Sequence, residues 1–354
     1  MTGSAGPEDR TGTTPPEAVE PLEAPTREGG KPAPEEAAPR RLGLTTFTIT
    51  GREAPGLFVV GWLAALLGIG FIAIVAFGVT GIAGSVIYLV GLFSLSIGLV
   101  LLGGSQTVER RATGDAYAGP SPVLVFIAVL AISRVTGFVI GLPLSLIGSS
   151  IPVPLGDLIG VILQAAVFLG VVRLMVVGPG ALRWSDMGLG RPSADAARSM
   201  LAGAFFAGPV ILVTSVVGLI AVQIAGVAPE SPLPPTGSVS GLVLHLVAGA
   251  AIAPFAEETL FRGFALTAWR RTSGPTRAIV LSSIFFVLGH VLFVGGDSFA
   301  QSAALAFVGG IVRVPVALVL GWLYVRTGSL WTSIGLHSAY NGILIILSEL
   351  ALRQ

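Results

Sequence analysis

Cysteine is absent from this chain, lysine occurs once, at Lys31, asparagine once, at Asn341, and histidine three times. Without cysteine there is no disulfide, no thiolate nucleophile and no thiolate metal site. Charge of either sign is scarce: 11% of the 354 residues are charged, against 53% hydrophobic. Soluble chains carry about a quarter charged residues, and less than half that share cannot coat a surface facing water. A cytosolic globular enzyme is thereby excluded, and apolar surface must face lipid. A net charge of +1 supplies no clustered positive patch for phosphate, so no nucleic-acid partner is expected. The basic residues are almost all arginine, and alanine, glycine and proline abound, a composition that points to a GC-rich bacterial genome.

What is present divides unevenly. From Met1 to about Leu44 the chain mixes Pro, Glu, Ala, Thr and Gly with almost no bulky apolar residue, so residues 1–44 are expected to be a disordered tail. It lacks the basic start and immediate apolar run of a signal peptide. Apolar stretches follow, each near the ~20 residues an α-helix needs to cross a ~30 Å hydrocarbon core. They run roughly over Leu57–Val79, Ile82–Leu102, Val123–Ile147, Leu158–Val177, Ala197–Ala225, Val239–Trp269, Ala278–Val294, Ser302–Val325 and Leu330–Leu350. Runs this long and apolar on all sides do not suit a β-barrel. The expected fold is all-α: a polytopic membrane bundle of about nine helices. Trp184–Ser193 reads as a connector, which separates residues 45–196 from residues 197–354.

Arginines in short loops give an orientation, because cytoplasmic loops hold the positive excess. Arg40, Arg41, Arg52, Arg110, Arg111, Arg183, Arg191, Arg198, Arg270, Arg271, Arg277 and Arg326 all fall at ends that would be cytoplasmic. Asp157, Glu230, Asp297 and the C-terminal Arg353 fall at the other end, which places the N-terminus inside and the C-terminus outside a plasma membrane. No internal repeat or interrupted helix is evident, which counts against a transporter of duplicated halves.

Ionisable groups deep in a bilayer cost at least ~2.5–3.5 kcal/mol on insertion scales and are functional candidates by default. Glu257, Glu258, Arg262, His290 and His337 fall in the last four helices, and Asn341 joins them. At about 1.5 Å per residue, Glu257 and His290 each lie roughly 20 Å from their arginine-bearing helix ends. Residues four apart share a helix face, so Glu258 can pair with Arg262, Phe286 can stack on His290, and His337 and Asn341 form one polar face. His245, nearer the outer helix end, reads as interfacial. Arg134, Arg173 and Arg313 lie within or beside apolar runs with no assigned role.

Written as motifs, Glu257-Glu258-Thr-Leu-Phe-Arg262 is EExxxR, Phe286-Val-Leu-Gly-His290 is FxxxH, and His337-Ser-Ala-Tyr-Asn341 is HxxxN. Their order resembles the CAAX protease and bacteriocin-processing (CPBP, or Abi) family of intramembrane glutamic endopeptidases, over about Val239 to Leu350. The resemblance implies a protease domain over residues 197–354 with a four-helix catalytic core, and entry is expected from the cytoplasmic half of the bundle. It also implies a membrane protein or peptide substrate, no cofactor and no metal. By that resemblance Glu257 and His290 hold the attacking water, while His337 and Asn341 donate to the oxyanion.

The residues themselves agree with that chemistry, since hydrolysis in a membrane needs an activated water and preorganised donors. Glu258 and Arg262 are expected to form a supporting pair, because an unpaired arginine at that depth is costly. Phe286 is expected to pack. Glu257, His290 and His337 also make the two-His-one-carboxylate set of hydrolytic zinc sites, although HExxH is absent. The rival functions are a proton-coupled transporter and a non-catalytic immunity or scaffold protein of the same family; the latter would be expected to have lost a motif residue.

Overall fold

Lipid offers the backbone no hydrogen-bond partner, so each apolar run must satisfy its own N–H and C=O groups, and it does so as helix. The computed structural model describes residues 49, 51–147, 151–229 and 231–352. The chain divides into Met1–Thr46 and Phe47–Gln354. The tail expected over residues 1–44, with Arg40 and Arg41, lies outside the described residues, as do Glu230 and Arg353. Among the described residues there is no strand.

The helices are α1 (Pro55–Ala76), α2 (Gly81–Thr113), α3 (Pro122–Ile147), α4 (Val153–Val177), α5 (Ala194–Ala204), α6 (Ala207–Ala225), α7 (Val239–Ser273), α8 (Pro275–Val291), α9 (Phe299–Ile311), α10 (Val314–Thr327) and α11 (Leu330–Leu352). Every one of the nine apolar runs is helical. Counting α5–α6 and α9–α10 as one span each, eight candidates are long and apolar enough to cross a membrane. The protein is therefore a multi-pass membrane protein. The exception is α8, whose 17 residues reach only about 25 Å.

Two spans are interrupted, contrary to expectation. Phe205 and Phe206 separate α5 from α6, and Val312 and Arg313 separate α9 from α10. Within α7 the turns widen to π geometry at Val247–Ile252 and again at Thr259–Leu266. Pro254 follows the first of these and lacks the N–H that Ala250 would accept, a local cause for a distorted ladder.

Leu66, Leu212, Leu219 and Ile224 stay exposed, as suits side chains that face lipid rather than water. Inside, α5 lies directly on α11. A Cβ at Gly203 would collide with the Thr332 carbonyl oxygen, and one at Gly335 with that of Met200. Only glycine allows these backbones so close, the small-residue packing common in membrane bundles.

The arginine-bearing helix ends meet at one end of the bundle. Arg52 pairs with Glu109 at 2.8 Å, Arg111 donates to the Pro179 carbonyl, and Asp186 faces Arg183 at 3.2 Å and Arg271 at 3.7 Å. The Arg183 backbone N–H and both guanidinium groups hold the Asp186 carboxyl below its usual range. At the opposite end the Thr236 N–H donates to Glu349 Oε2 at 2.8 Å. His245 is a correction to the sequence reading: it is 2% exposed, with Nε2 3.0 Å from Asp157 Oδ2, and it ties α7 to α4.

Candidate active site

Five of the seven motif residues form one connected unit, and it starts from a wholly buried arginine. Arg262 Nη1 donates to Glu258 Oε1 at 2.7 Å, and Nη2 donates to the Ala317 carbonyl of α10 at 3.1 Å. Both charged side chains have 0% exposure. The guanidinium lies 4.5 Å from the centre of the Phe286 ring, a cation–π contact made stronger by the full burial of Arg262. Phe286 is more than packing: its ring centre is 4.5 Å from that of His290 and 5.6 Å from that of His337.

The same Glu258 Oε1 lies 2.9 Å from His337 Nδ1. A carboxylate paired with arginine accepts rather than donates, so Nδ1 carries the proton. His290 Nδ1 lies 2.7 Å from the Phe286 carbonyl oxygen, which can only accept, so its proton also sits on Nδ1. In a singly protonated ring held this way, the lone pair is on Nε2. Each Nε2 faces one atom, Glu257 Oε2, at 3.6 Å from His290 and 3.8 Å from His337. That oxygen is buried and has no hydrogen-bond partner within the protein.

Three lone-pair atoms therefore converge at separations too long for direct hydrogen bonds. A group with protons to give, such as water, fits between them. Among the described residues, no group of three or more His, Cys, Asp or Glu has the arrangement of a metal site.

Asn341 stands one turn beyond His337 and donates its amide to the Gly249 carbonyl at 2.8 Å. Gly249 lies in the first π turn of α7, where a widened ladder frees a carbonyl for a side chain. One of the two amide protons is thus committed.

Glu257, Phe286, His290, His337 and Asn341 line a cavity of about 970 Å³. It reaches from Glu257 and Phe261 past His290 to Asp157 and Leu233, so it occupies the half of the bundle away from the arginine loops. The sequence reading put the entrance on the arginine side. The physical reason for the change is α8, which ends at Val291, one residue past His290, and leaves a recess where a full span would continue. The walls also include Ser133 and Arg134 of α3 and Gln164 of α4, so the pocket is not built from the last helices alone.

Arg134 and Arg313, given no role above, line the same cavity. The Arg134 guanidinium lies 3.7 Å from the centre of the Phe293 ring. Arg313 sits at the break between α9 and α10, and Nη1 donates to the Gly309 carbonyl at 2.6 Å. An arginine inside an apolar run, one residue short of Val314-Pro315, was the available signal.

Fold and site together define a membrane protein with a buried polar cluster among its last helices. Residues 239–343 match the family model described as Rce1-like, type II CAAX prenyl endopeptidase. The matched segment is under a third of the chain, contains all three motifs, is consistent with the CPBP family and supports a hydrolase of the membrane-protease type. No curated protein and no solved structure matches the chain.

Proposed function

We propose that the protein is an intramembrane endopeptidase in which Glu257 and His290 activate a water molecule against a peptide bond of a membrane-associated protein or peptide. The observation that carries this reading is the partnerless Glu257 Oε2, faced by two histidine nitrogens at 3.6 and 3.8 Å. A water there donates one proton toward Glu257 and a second toward His290 Nε2, which leaves an oxygen lone pair free for attack. Glu257 takes the water proton as the C–O bond forms. The carbonyl oxygen becomes the oxyanion, and collapse breaks the C–N bond as the proton passes to the leaving amine.

Asn341 retains one amide N–H for the oxyanion after its bond to Gly249. His337 can donate from Nε2 only when its ring is doubly protonated, because Nδ1–H is engaged by Glu258. Glu258 and Arg262 position His337 and do not touch the reacting atoms. In a plasma membrane with the arginine loops inside, the cavity opens toward the outer half of the bilayer.

The test is cleavage of a peptide library in proteoliposomes by wild type, Glu257→Gln and His290→Ala, with and without a zinc chelator. Wild-type cleavage that ignores the chelator and drops at least about 10³-fold in Glu257→Gln supports the glutamate mechanism. Loss on chelation transfers Glu257, His290 and His337 to a metal site. Equal cleavage by Glu257→Gln removes the proposal.

A further inference from the structure

Arg313 is a charge that the proposed chemistry does not use. It lines the cavity beside Glu257, His290, Tyr340 and Asn341. It is near enough to Glu257, Tyr340 and His290 to interact with each electrostatically. Its one hydrogen bond, to the Gly309 carbonyl at 2.6 Å, leaves most of its donors uncommitted, and it makes no ion pair among the described residues. Of the acidic residues on the cavity wall, Asp157 is held by His245 at 3.0 Å, and Glu257 attracts Arg313 electrostatically without forming an ion pair with it. Glu258 lies behind the wall, held by Arg262.

An arginine inside an apolar span is expensive unless it meets water or an anion, and it is then a marker of what passes through. Arg134 adds a second positive charge to the same cavity, with its guanidinium held over Phe293. Two cations in a largely apolar recess concentrate anions there. Guanidinium also has the planar fork that matches a carboxylate.

Resting on the endopeptidase reading above, we propose that Arg313 is a specificity-determining residue that binds a carboxylate of the peptide substrate. That carboxylate belongs either to the peptide's C-terminus or to an acidic side chain close to the scissile bond. The substrate class is then a peptide with a negative charge near the cleavage point, and a neutral peptide of equal hydrophobicity is a poor substrate. A phosphate of an anionic lipid is the rival occupant, which the experiment separates.

Wild-type protein in phosphatidylcholine vesicles is given two matched pairs of peptides: C-terminal acid against C-terminal amide, and Asp against Asn beside the cleavage point. The expected result is a preference for the acid member of one pair of about 10- to 100-fold in kcat/KM, the range set by a charged hydrogen bond lost from a buried site. The pair that shows it identifies the source of the carboxylate. In Arg313→Gln the ratio should fall to within about threefold of unity, and Arg313→Lys, which keeps the charge without the fork, should fall between. Two results overturn the inference: no preference in the wild type for either pair, or a preference that survives in Arg313→Gln. Inhibition by phosphatidylglycerol vesicles, relieved in Arg313→Gln, with acid and amide peptides cut alike, assigns the site to lipid phosphate and overturns it too. The wild-type comparison needs no variant to fold. Equal cleavage by Glu257→Gln strikes the endopeptidase reading instead, whatever the acid-to-amide ratio.

Discussion

At the scale of single residues, the centre rests on a buried charge that is already neutralised. Arg262, Glu258 and His337 share one carboxylate oxygen, so removing the arginine strands a carboxylate where no water reaches it. Breaking one partner out of such a pair costs about 3–5 kcal/mol. Arg262→Leu is therefore expected to lower the thermal midpoint in detergent sharply and to release His337 from its tautomer. Glu258→Gln keeps the shape but leaves Arg262 uncompensated, so it should also destabilise, with activity falling more than Glu258's distance from the water would suggest. Static light scattering or a fluorescence melt reads the first effect, and peptide cleavage the second. The Glu258–Arg262 pair and the stacking of Phe286 on His290 could be read from the sequence, because each is set by i,i+4 spacing on one helix face, whereas the bond from Glu258 to His337 crosses from α7 to α11 and could not. Arg313 and the His245–Asp157 pair could not be read that way. The electrostatic neighbours of Arg313, Glu257 and Tyr340, and the partner of His245 come from other helices, brought near by packing, and no spacing rule spans the gap between residues 157 and 245.

At the scale of elements, the apolar runs were readable because length and hydropathy alone define a span. The interruptions were not. A π turn or a two-residue break leaves the average hydropathy unchanged; Pro254 and Pro315 were the local hints, and packing decides which prolines matter. The approach of α5 to α11 carries a consequence for the site, since Gly335 lies two residues before His337. Gly335→Ala puts a methyl group against the Met200 carbonyl and must push α11 away from α5. The expected result is a drop in kcat of at least about tenfold, in line with the effect of small displacements on positioned groups. Gly208→Ala on α6 meets no atom within 4 Å and should leave cleavage unchanged, which separates the packing effect from a general cost of altering glycine.

At the scale of the whole molecule, the bundle has two unlike ends. One is tied by arginine pairs and backbone bonds around Asp186, Gly188 and Pro179. The other holds the cavity, between α4, α7, α11 and the segment near Leu233. That the helices before residue 197 supply walls of this cavity was hidden from the sequence, because Ser133, Gln164 and Val167 belong to no motif and acquire meaning only by lining the same cavity as Glu257 and His290.

The brevity of α8 reaches beyond the protein to the lipid around it. Its outer surface carries Val280 and Ile284, and the chain then exposes Leu292 and Phe293, so an apolar collar about 25 Å tall stands in hydrocarbon of about 30 Å. Acyl chains beside it must compress or tilt, at a cost of fractions of a kcal/mol per Å of mismatch. The bilayer is therefore expected to thin on the flank where the cavity lies, and a thinner host membrane would relieve that deformation. Cleavage rates in vesicles of graded acyl-chain length should rise as the chains shorten from 18 toward about 14 carbons. An equal rate across the series would mean that α8 is capped by its own loop and that the lipid is left undisturbed.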